Sequence, residues 1–241
     1  MFQRADEAVN PVKLATETIS RIGAQTDSAI LFYSCGKDSI LLADMMAPYF
    51  KNIIALHMFF VKGLPHIEKN LSWLEQKYKN IKVEQCPHFM MSSISKNGIF
   101  CKAKPQTKTV SLMDVDAWAR QTFGIDWSFY GNKKGDGLNR RLMLMSYGKW
   151  PVNEKTQKAY PLSDLKDAEV LRMIKQRRLM QPAVYGQGRS SGISFDENVF
   201  LWMRKNDPVG LEMIYKKFPL SKQILFEHDN KISEIQDSND T

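Results

Sequence analysis

The most informative stretch of this sequence is a short polar loop with the residues Ser34-Cys35-Gly36-Lys37-Asp38-Ser39. It follows an apolar run, 29–33, typical of a strand that is buried on both faces, and precedes an apolar helical segment, 39–47. Because glycine permits close backbone approach and helix N-terminal amides face outward, the loop is predicted to hold an anion. The spacing is not that of a Walker A loop, and the composition also fits an ordinary strand–helix turn with a capping Ser or Asp.

Strands and helices alternate on both sides of this loop. Further strands are predicted over 53–61, 81–85 and 127–130. Helices are predicted over 10–23, 66–79, 109–123 and 138–145. Periodicity is lost over 87–108, where a long surface loop is expected. Short connections between alternating elements predict a doubly wound, mostly parallel α/β sheet with helices on both faces.

The chain changes character beyond Trp150. A helix is predicted over 165–179, capped by Ser163 or Asp164, and two short helices over 197–205 and 209–218. The polar, acidic last dozen residues are expected to fray. We therefore expect an α/β domain over 1–192 and a helical C-terminal extension with an acidic tail over 193–241.

Composition narrows the class of protein. The 241 residues are 43% hydrophobic and 25% charged, which is typical of a globular protein and excludes a disordered or collagen-like chain. The longest apolar stretch, 53–61, is far shorter than the roughly 20 residues of a membrane span, so no membrane association is expected. Three cysteines and a start unlike a signal peptide predict a cytoplasmic location. The net charge of +8 suits an anionic ligand.

Three segments together resemble the adenine nucleotide α-hydrolase superfamily, and within it the phosphoadenosine phosphosulfate (PAPS) reductase and ATP pyrophosphatase group. Residues 34–39 resemble the modified P-loop S-x-G-K-D-S. Residues 131–140, GNKKGDGLNR, are similar to G-x-R-x-D-E-S-x-x-R, with Lys133 in place of Arg and Asp136 among the acids. The third segment begins with Tyr160-Pro161-Leu162-Ser163-Asp164 and continues with Val170, Pro182, Tyr185 and Gly188. It resembles the family pattern P-L-x-D-W-x-x-x-D-V … P-x-x-Y-x-x-G. The resemblance covers residues 28–192.

The resemblance implies a nucleotide site at the carboxyl end of a parallel sheet. The implied phosphate-binding residues are Ser34, Cys35, Gly36, Lys37, Asp38, Ser39, Gly131, Lys133, Asn139 and Arg140. The implied catalytic residues are Lys37, Asp38 and Arg140, with Asp38 orienting the loop or helping to hold Mg²⁺. The implied ligand is ATP or PAPS.

Two departures from the family pattern bear on the reaction. PAPS reductases resemble one another at a C-terminal Glu-Cys-Gly-[IL]-His segment, whose cysteine attacks the sulfonate, and residues 227–241 contain no cysteine. Many relatives carry Asp-Thr-Gly after the second strand, whereas this chain has Val61-Lys62-Gly63. The three cysteines lack the spacing of a metal site, so no iron–sulfur cluster is expected. Cys101, flanked by Lys102 and Lys104, is the possible nucleophile.

Three functions remain open at this point. The wider family implies cleavage of ATP between its α- and β-phosphates, with adenylyl transfer and pyrophosphate release. A sulfonucleotide reductase that uses Cys101 is the first alternative. The second is a non-catalytic nucleotide sensor or accessory protein that binds nucleic acid or a DNA-modification partner, through basic clusters at 133–141 and 172–178. A solvated basic face explains the same clusters without a partner.

Overall fold

The computed structural model describes residues 10–185 and 195–239, with side chains to residue 232. Gly188 of the third motif and the loop expected around it lie outside these residues. The chain forms two compact units, each assembled from separate stretches. The first contains the described parts of Met1–His57, Trp73–Gln85 and Asp116–Pro182, and the second those of Met58–Ser72, Cys86–Val115 and Ala183–Thr241.

A six-stranded sheet with the order β3-β2-β1-β4-β6-β5 forms the framework. Its strands are β1 Ser28–Phe32, β2 Asn52–Phe59, β3 Ile81–Pro87, β4 Ser128–Phe129, β5 Val152–Asn153 and β6 Lys158–Ala159. Strand β1 pairs in parallel with β2 and β4, β4 pairs in parallel with β6, and β5 pairs antiparallel with β6. The predicted mostly parallel α/β sheet is confirmed. Strands β5 and β6 were not predicted, because two residues are too few to show a periodicity.

Strand β1 is the topological switch point of the sheet. The chain adds β2 and β3 on one side of β1 and then returns to place β4 on the other. In open α/β sheets, ligands bind in the crevice outside the carboxyl ends of the strands at such a point. The segments that follow β1 and β4 therefore meet at the expected position of a ligand.

Ten α-helices lie within the described residues. They are α1 Pro11–Gly23, α2 Lys37–Met46, α3 Pro65–Lys77, α4 Met90–Asn97, α5 Leu112–Phe123, α6 Leu138–Met145, α7 Asp167–Gln176, α8 Glu197–Asn206, α9 Pro208–Lys217 and α10 Gln223–Asn239. Among these described helices, none has the length and apolar character needed to cross a membrane.

Three sequence-based expectations about helices were wrong. Helix α4 lies within the expected loop 87–108 and ends at Gly98, whose φ of +71° is left-handed. Helix α7 is capped by Lys166, whose N–H donates to Glu169 Oε2 at 2.9 Å, rather than by Ser163 or Asp164. Helix α10 continues to Asn239, where fraying was expected. Short amphipathic turns with many Ser, Lys and Asn residues carry too weak a periodicity to be distinguished from a loop.

The core around β1 holds the following loop in place. Residues Ala29, Ile30 and Leu31 of β1 are fully buried, as predicted for a strand covered on both faces. Helix α2 is also buried over four successive residues, Ile40 to Ala43. Each such Leu or Ile side chain contributes about 1.5–3 kcal/mol when it is removed from water. The loop thus runs between two rigid elements.

Candidate functional site

The polar loop ends earlier than the sequence suggested. Helix α2 begins at Lys37, so Lys37, Asp38 and Ser39 form its first turn, and Gly36 is the N-cap in extended conformation. Ser39 Oγ donates to the Gly36 carbonyl at 3.0 Å and accepts from the Ser34 N–H at 3.2 Å. The first N–H groups of a helix have no acceptor within it, so this turn suits a phosphate.

Cys35 sets the turn from β1 into this loop. Its φ is +61°, which costs a residue with a side chain roughly 1–2 kcal/mol. The residue is buried, and its Sγ lies 3.8 Å from Nδ1 of the buried His57. His57 Nδ1 in turn lies 3.0 Å from the Tyr33 carbonyl oxygen. The thiol therefore belongs to the interior, and the conformation of Cys35 shapes the loop.

The glycine-rich segment after β4 packs against the first turn of α2. A Cβ atom on Gly131 would lie 3.1 Å from Asp38 Cβ, so the close approach depends on the glycine. Farther along, the Lys133 N–H donates to Asp136 Oδ2 at 2.7 Å, and residues 134–136 form one short 3-10 turn. This turn directs the Lys133 side chain inward, where it is 2% exposed.

Two lysines and three aspartates meet at this junction and form what we call the charge cluster: Lys37, Asp38, Lys133, Asp136 and Asp167. Lys133 Nζ lies 2.6 Å from Asp38 Oδ1, 3.2 Å from Asp136 Oδ1 and 3.2 Å from Asp167 Oδ1. Lys37 Nζ lies 2.9 Å from Asp38 Oδ2 and 3.5 Å from Asp167 Oδ1. Asp38 and Asp167 each bridge the two ammonium groups.

Electrostatic interactions within the cluster keep Lys133 and Asp167 charged. Burial disfavours the Lys133 ammonium, but the hydrogen bond and charge of Asp38, with the charges of Asp136 and Asp167, outweigh it and raise the pKa of Lys133. Partial burial opposes ionisation of Asp167, but Lys133 and Lys37 lower the pKa of that carboxyl. Lys133 and Asp167 are therefore charged at neutral pH.

The remaining implied phosphate ligands lie on α6, beside the cluster. Arg140 Nη1 is 3.4 Å from Asp136 Oδ2, and the Arg140 side chain is half-exposed. Asn139 is exposed on the same helix. Lys134 pairs instead with Asp164, at 2.6 Å. Arg140 thus offers an accessible guanidinium next to Asp136, whereas Lys133 is enclosed by carboxylates.

The fit of Mg²⁺ to this site can be judged from the donors. Within 10–185 and 195–239, no group of three or more His, Cys, Asp or Glu residues is arranged to hold a metal ion. The three carboxylates of the charge cluster converge on the Lys133 ammonium, which takes the central position that a cation would need. These residues, as the structure describes them, do not form a protein-held Mg²⁺ site, and the role of Asp38 stays a prediction.

Sequence reasoning missed Asp167. The residue falls at an unspecified position of the P-L-x-D-W-x-x-x-D-V pattern, between Asp164 and Glu169, so no sequence signal marks it. Only the start of α7 beside the loop places its carboxylate on Lys37 and Lys133.

The other two cysteines differ in their surroundings. Cys86 is buried, and burial raises the pKa of its thiol to about 11, which suits a structural role. Cys101, the possible nucleophile, is partly exposed, and its Sγ lies 3.9 Å from the Ile94 carbonyl oxygen. Both cysteines belong to the second unit.

His66 lies in a partly buried group of hydrogen-bonded side chains. Its Nδ1 lies 2.5 Å from Asp207 Oδ2 and its Nε2 lies 3.0 Å from the Tyr185 hydroxyl. Asp207 also accepts the Gly210 N–H at 2.9 Å and caps α9. Both ring nitrogens of His66 have partners, so the residue joins the starts of α3 and α9.

The chain is similar to known proteins in sequence and in fold. A family model described as the phosphoadenosine phosphosulfate reductase domain matches residues 28–218. The PAPS reductase of Candida auris, solved as a phosphate complex, is similar in structure with a TM-score of 0.50 and 12% identity, over 77% of this chain and 91% of that chain. The NH3-dependent NAD synthetase of Campylobacter jejuni, solved with a nitrate ion, has a TM-score of 0.42 and 15% identity, over 90% of this chain and 96% of that chain.

The comparisons leave the finer assignments open. No curated protein matches the chain by sequence. A nucleic-acid partner has no support from the family model and stays a prediction.

Proposed function

This chain belongs to the phosphoadenosine phosphosulfate reductase domain family, a family of enzymes, and from that membership we propose that it binds an adenine nucleotide through the phosphates at residues 34–39. The observation that carries the proposal is the first turn of α2, which begins at Lys37 after the short segment 33–36 that follows the buried strand β1. A helix N-terminus, a lysine and two serine hydroxyls converge there, and each is a good partner for a phosphate oxygen.

The proposed reaction is cleavage of ATP between the α- and β-phosphates. An acceptor oxygen attacks the α-phosphorus, the bond from that phosphorus to the bridging oxygen breaks, and pyrophosphate leaves with the electron pair. The acceptor is left adenylylated. Negative charge grows on the departing pyrophosphate, and Lys37 and Arg140 stabilise it, while Asp38 holds Lys37 in position.

Calorimetric titration of the full chain with ATP and with PAPS, each with Mg²⁺, tests the proposal. Lys37→Ala should lose ATP binding, because it removes a charge-assisted contact of about 1.5–3 kcal/mol. Lys51→Ala is the matched control, since that lysine is 81% exposed and pairs only with Asp27 among the described ion pairs. The proposed site is contradicted if wild-type protein does not bind ATP, or if the two variants lose ATP affinity equally.

Release of pyrophosphate from ATP measures the reaction itself. Wild-type protein should release pyrophosphate in the presence of an acceptor, and Asp38→Asn should abolish the release while still binding ATP. Binding without any pyrophosphate release, over a panel of acceptors, would leave the non-catalytic sensor as the function.

Reduction of a sulfonucleotide is the second function, favoured by the family model that matches the chain. A thiolate would take the sulfonate group from PAPS, releasing adenosine 3′,5′-bisphosphate, and a second thiol would then release sulfite and form a disulfide. Cys101 is the partly exposed thiol among the described residues. Sulfite release from PAPS with added dithiol, lost in Cys101→Ser and kept in Cys86→Ser, would establish this reaction. The absence of sulfite from the wild-type protein would reject it.

A further inference from the structure

We propose that Asp167 is an anion placeholder: its carboxylate occupies, on Lys37 and Lys133, the position that a nucleotide phosphate oxygen takes on binding, and so sets how strongly the site holds anions. The inference rests on the proposed nucleotide site and adds a residue that tunes its specificity.

The distances give the basis for this role. One oxygen of Asp167 lies 3.5 Å from Lys37 Nζ and 3.2 Å from Lys133 Nζ. A single anionic oxygen between two ammonium groups is also what a bound phosphate would supply. Asp167 therefore satisfies the donors that a ligand would otherwise meet.

Exposure separates Asp167 from the other carboxylates of the charge cluster. The Asp167 side chain is 67% exposed, whereas those of Asp38 and Asp136 are each 22% exposed. Because the Asp167 carboxylate is open to water, an incoming phosphate can take its place on the two ammonium groups. Asp38 and Asp136 stay behind and keep the buried Lys133 neutralised.

The charge balance of the site predicts whether anions bind more tightly or more weakly when Asp167 is replaced. Three carboxylates face two ammonium groups in the charge cluster, and the Arg140 guanidinium lies 3.4 Å from Asp136 beside it, so these charges balance before any ligand binds. Removing the charge of Asp167 leaves an excess of one positive charge. An anionic ligand then loses a competitor and a repulsive partner, and its affinity should rise.

Titration of the full chain with ATP and with inorganic pyrophosphate, without and with Mg²⁺, tests the placeholder. Asp167→Asn should bind both probes about threefold to tenfold more tightly than wild type, because removing an exposed charge changes the interaction by about 1 kcal/mol. The gain should shrink in 0.5 M salt, since exposed charges are screened. Asp27→Asn is the matched control: it is 65% exposed, pairs with a lysine, and should bind like wild type. Asp167→Ser provides the same test if the asparagine variant unfolds at a lower temperature.

The outcomes separate this inference from the proposed function. If ATP binding is lost in Lys37→Ala but is unchanged or weaker in Asp167→Asn, the placeholder is overturned and the nucleotide site stands. Weakening that appears only with Mg²⁺ would make Asp167 a metal ligand, which also overturns the placeholder. If neither wild type nor Asp167→Asn binds ATP or pyrophosphate, both ideas fail.

Discussion

Lys133 Nζ lies 2.6 Å from Asp38 Oδ1, and this ion pair joins the loop after β4 to the first turn of α2. The two segments follow neighbouring parallel strands, so their side chains meet at one edge of the sheet. Because Lys133 is 1% exposed, its charge depends on the carboxylates around it. The geometry of the polar loop 34–39 is therefore coupled to that of the glycine-rich segment after β4.

Replacing Lys133 with methionine should destabilise the protein. The substitution keeps the volume but leaves Asp38 and Asp136 facing each other without the ammonium group. Removing one partner of a buried ion pair costs about 3–5 kcal/mol, and urea denaturation would measure the loss.

Two further variants show whether the loss of a buried charge causes the lower stability of Lys133→Met. Lys133→Arg restores the residue of the family pattern and should recover most of the stability. Lys134→Met breaks the more exposed pair with Asp164 and should cost less than about 1 kcal/mol. Equal costs for Lys133→Met and Lys134→Met would contradict the buried role of Lys133.

Gly131→Ala should weaken ATP binding, because the new Cβ would lie 3.1 Å from Asp38 Cβ and push the first turn of α2 away. Overpacking of this kind also costs about 1–3 kcal/mol of stability. Gly135→Ala is the matched control, since a Cβ there has no atom within 4 Å. Titration calorimetry on both variants would measure the effect, and equal affinities would rule out a tight contact between the two loops.

Arg140→Gln should weaken ATP binding without changing stability. The Arg140 side chain is half-exposed and only 3.4 Å from Asp136, so its loss should cost less than about 0.5 kcal/mol of folding free energy. Its guanidinium is expected to contact the far end of the phosphate chain, so ATP affinity should fall about tenfold. The neighbouring exposed Arg141 provides the comparison variant Arg141→Gln. A similar loss in both would indicate general attraction to the basic surface.

The thiol of Cys86 should make stability depend on alkaline pH. Its pKa rises from 9.0 to about 11 on folding, so the native state keeps the proton more tightly. Stability from this group is complete below pH 9 and is lost as pH rises through 11. The difference in unfolding free energy between wild type and Cys86→Ala should therefore shrink over that interval. If the difference in unfolding free energy stays constant from pH 8 to 11, folding does not raise the pKa of Cys86.

The three cysteine thiols should differ in their reactivity toward an alkylating reagent. At pH 8, iodoacetamide should modify the partly exposed Cys101 well before the buried Cys35 and Cys86, as followed by mass spectrometry of the native protein. ATP should leave the rate at Cys101 unchanged if that residue takes no part in nucleotide binding. Faster modification of Cys86 would contradict its burial.

Much of the first unit could be predicted from residue patterns. The run 29–33 predicted the buried strand β1, and the pattern over 10–23 predicted α1, where Asn10 Oδ1 accepts the Val12 N–H at 3.0 Å. These features are local, because they depend on the periodicity of side chains and on the hydrogen bonds of adjacent residues.

Features that depend on pairing between distant segments could not be predicted in the same way. Strands β5 and β6 have only two residues each and exist because β6 pairs with β4. The contacts of His66 could not be predicted, because its partners, Asp207 and Tyr185, are far away in sequence. The domain boundary at 192 and the roles of the phosphate-loop residues remain predictions.

The sequence by itself determined the parallel α/β sheet, the family and the position of the polar loop 34–39, because these depend on local periodicity and on short motifs. Only the tertiary structure decided what surrounds Lys37 and Lys133. Two loops and the start of α7 converge there, and Asp167 completes the ion pairs from a position that no motif marks. Electrostatic energy depends on distance in space, so the charge balance of the site follows from the fold.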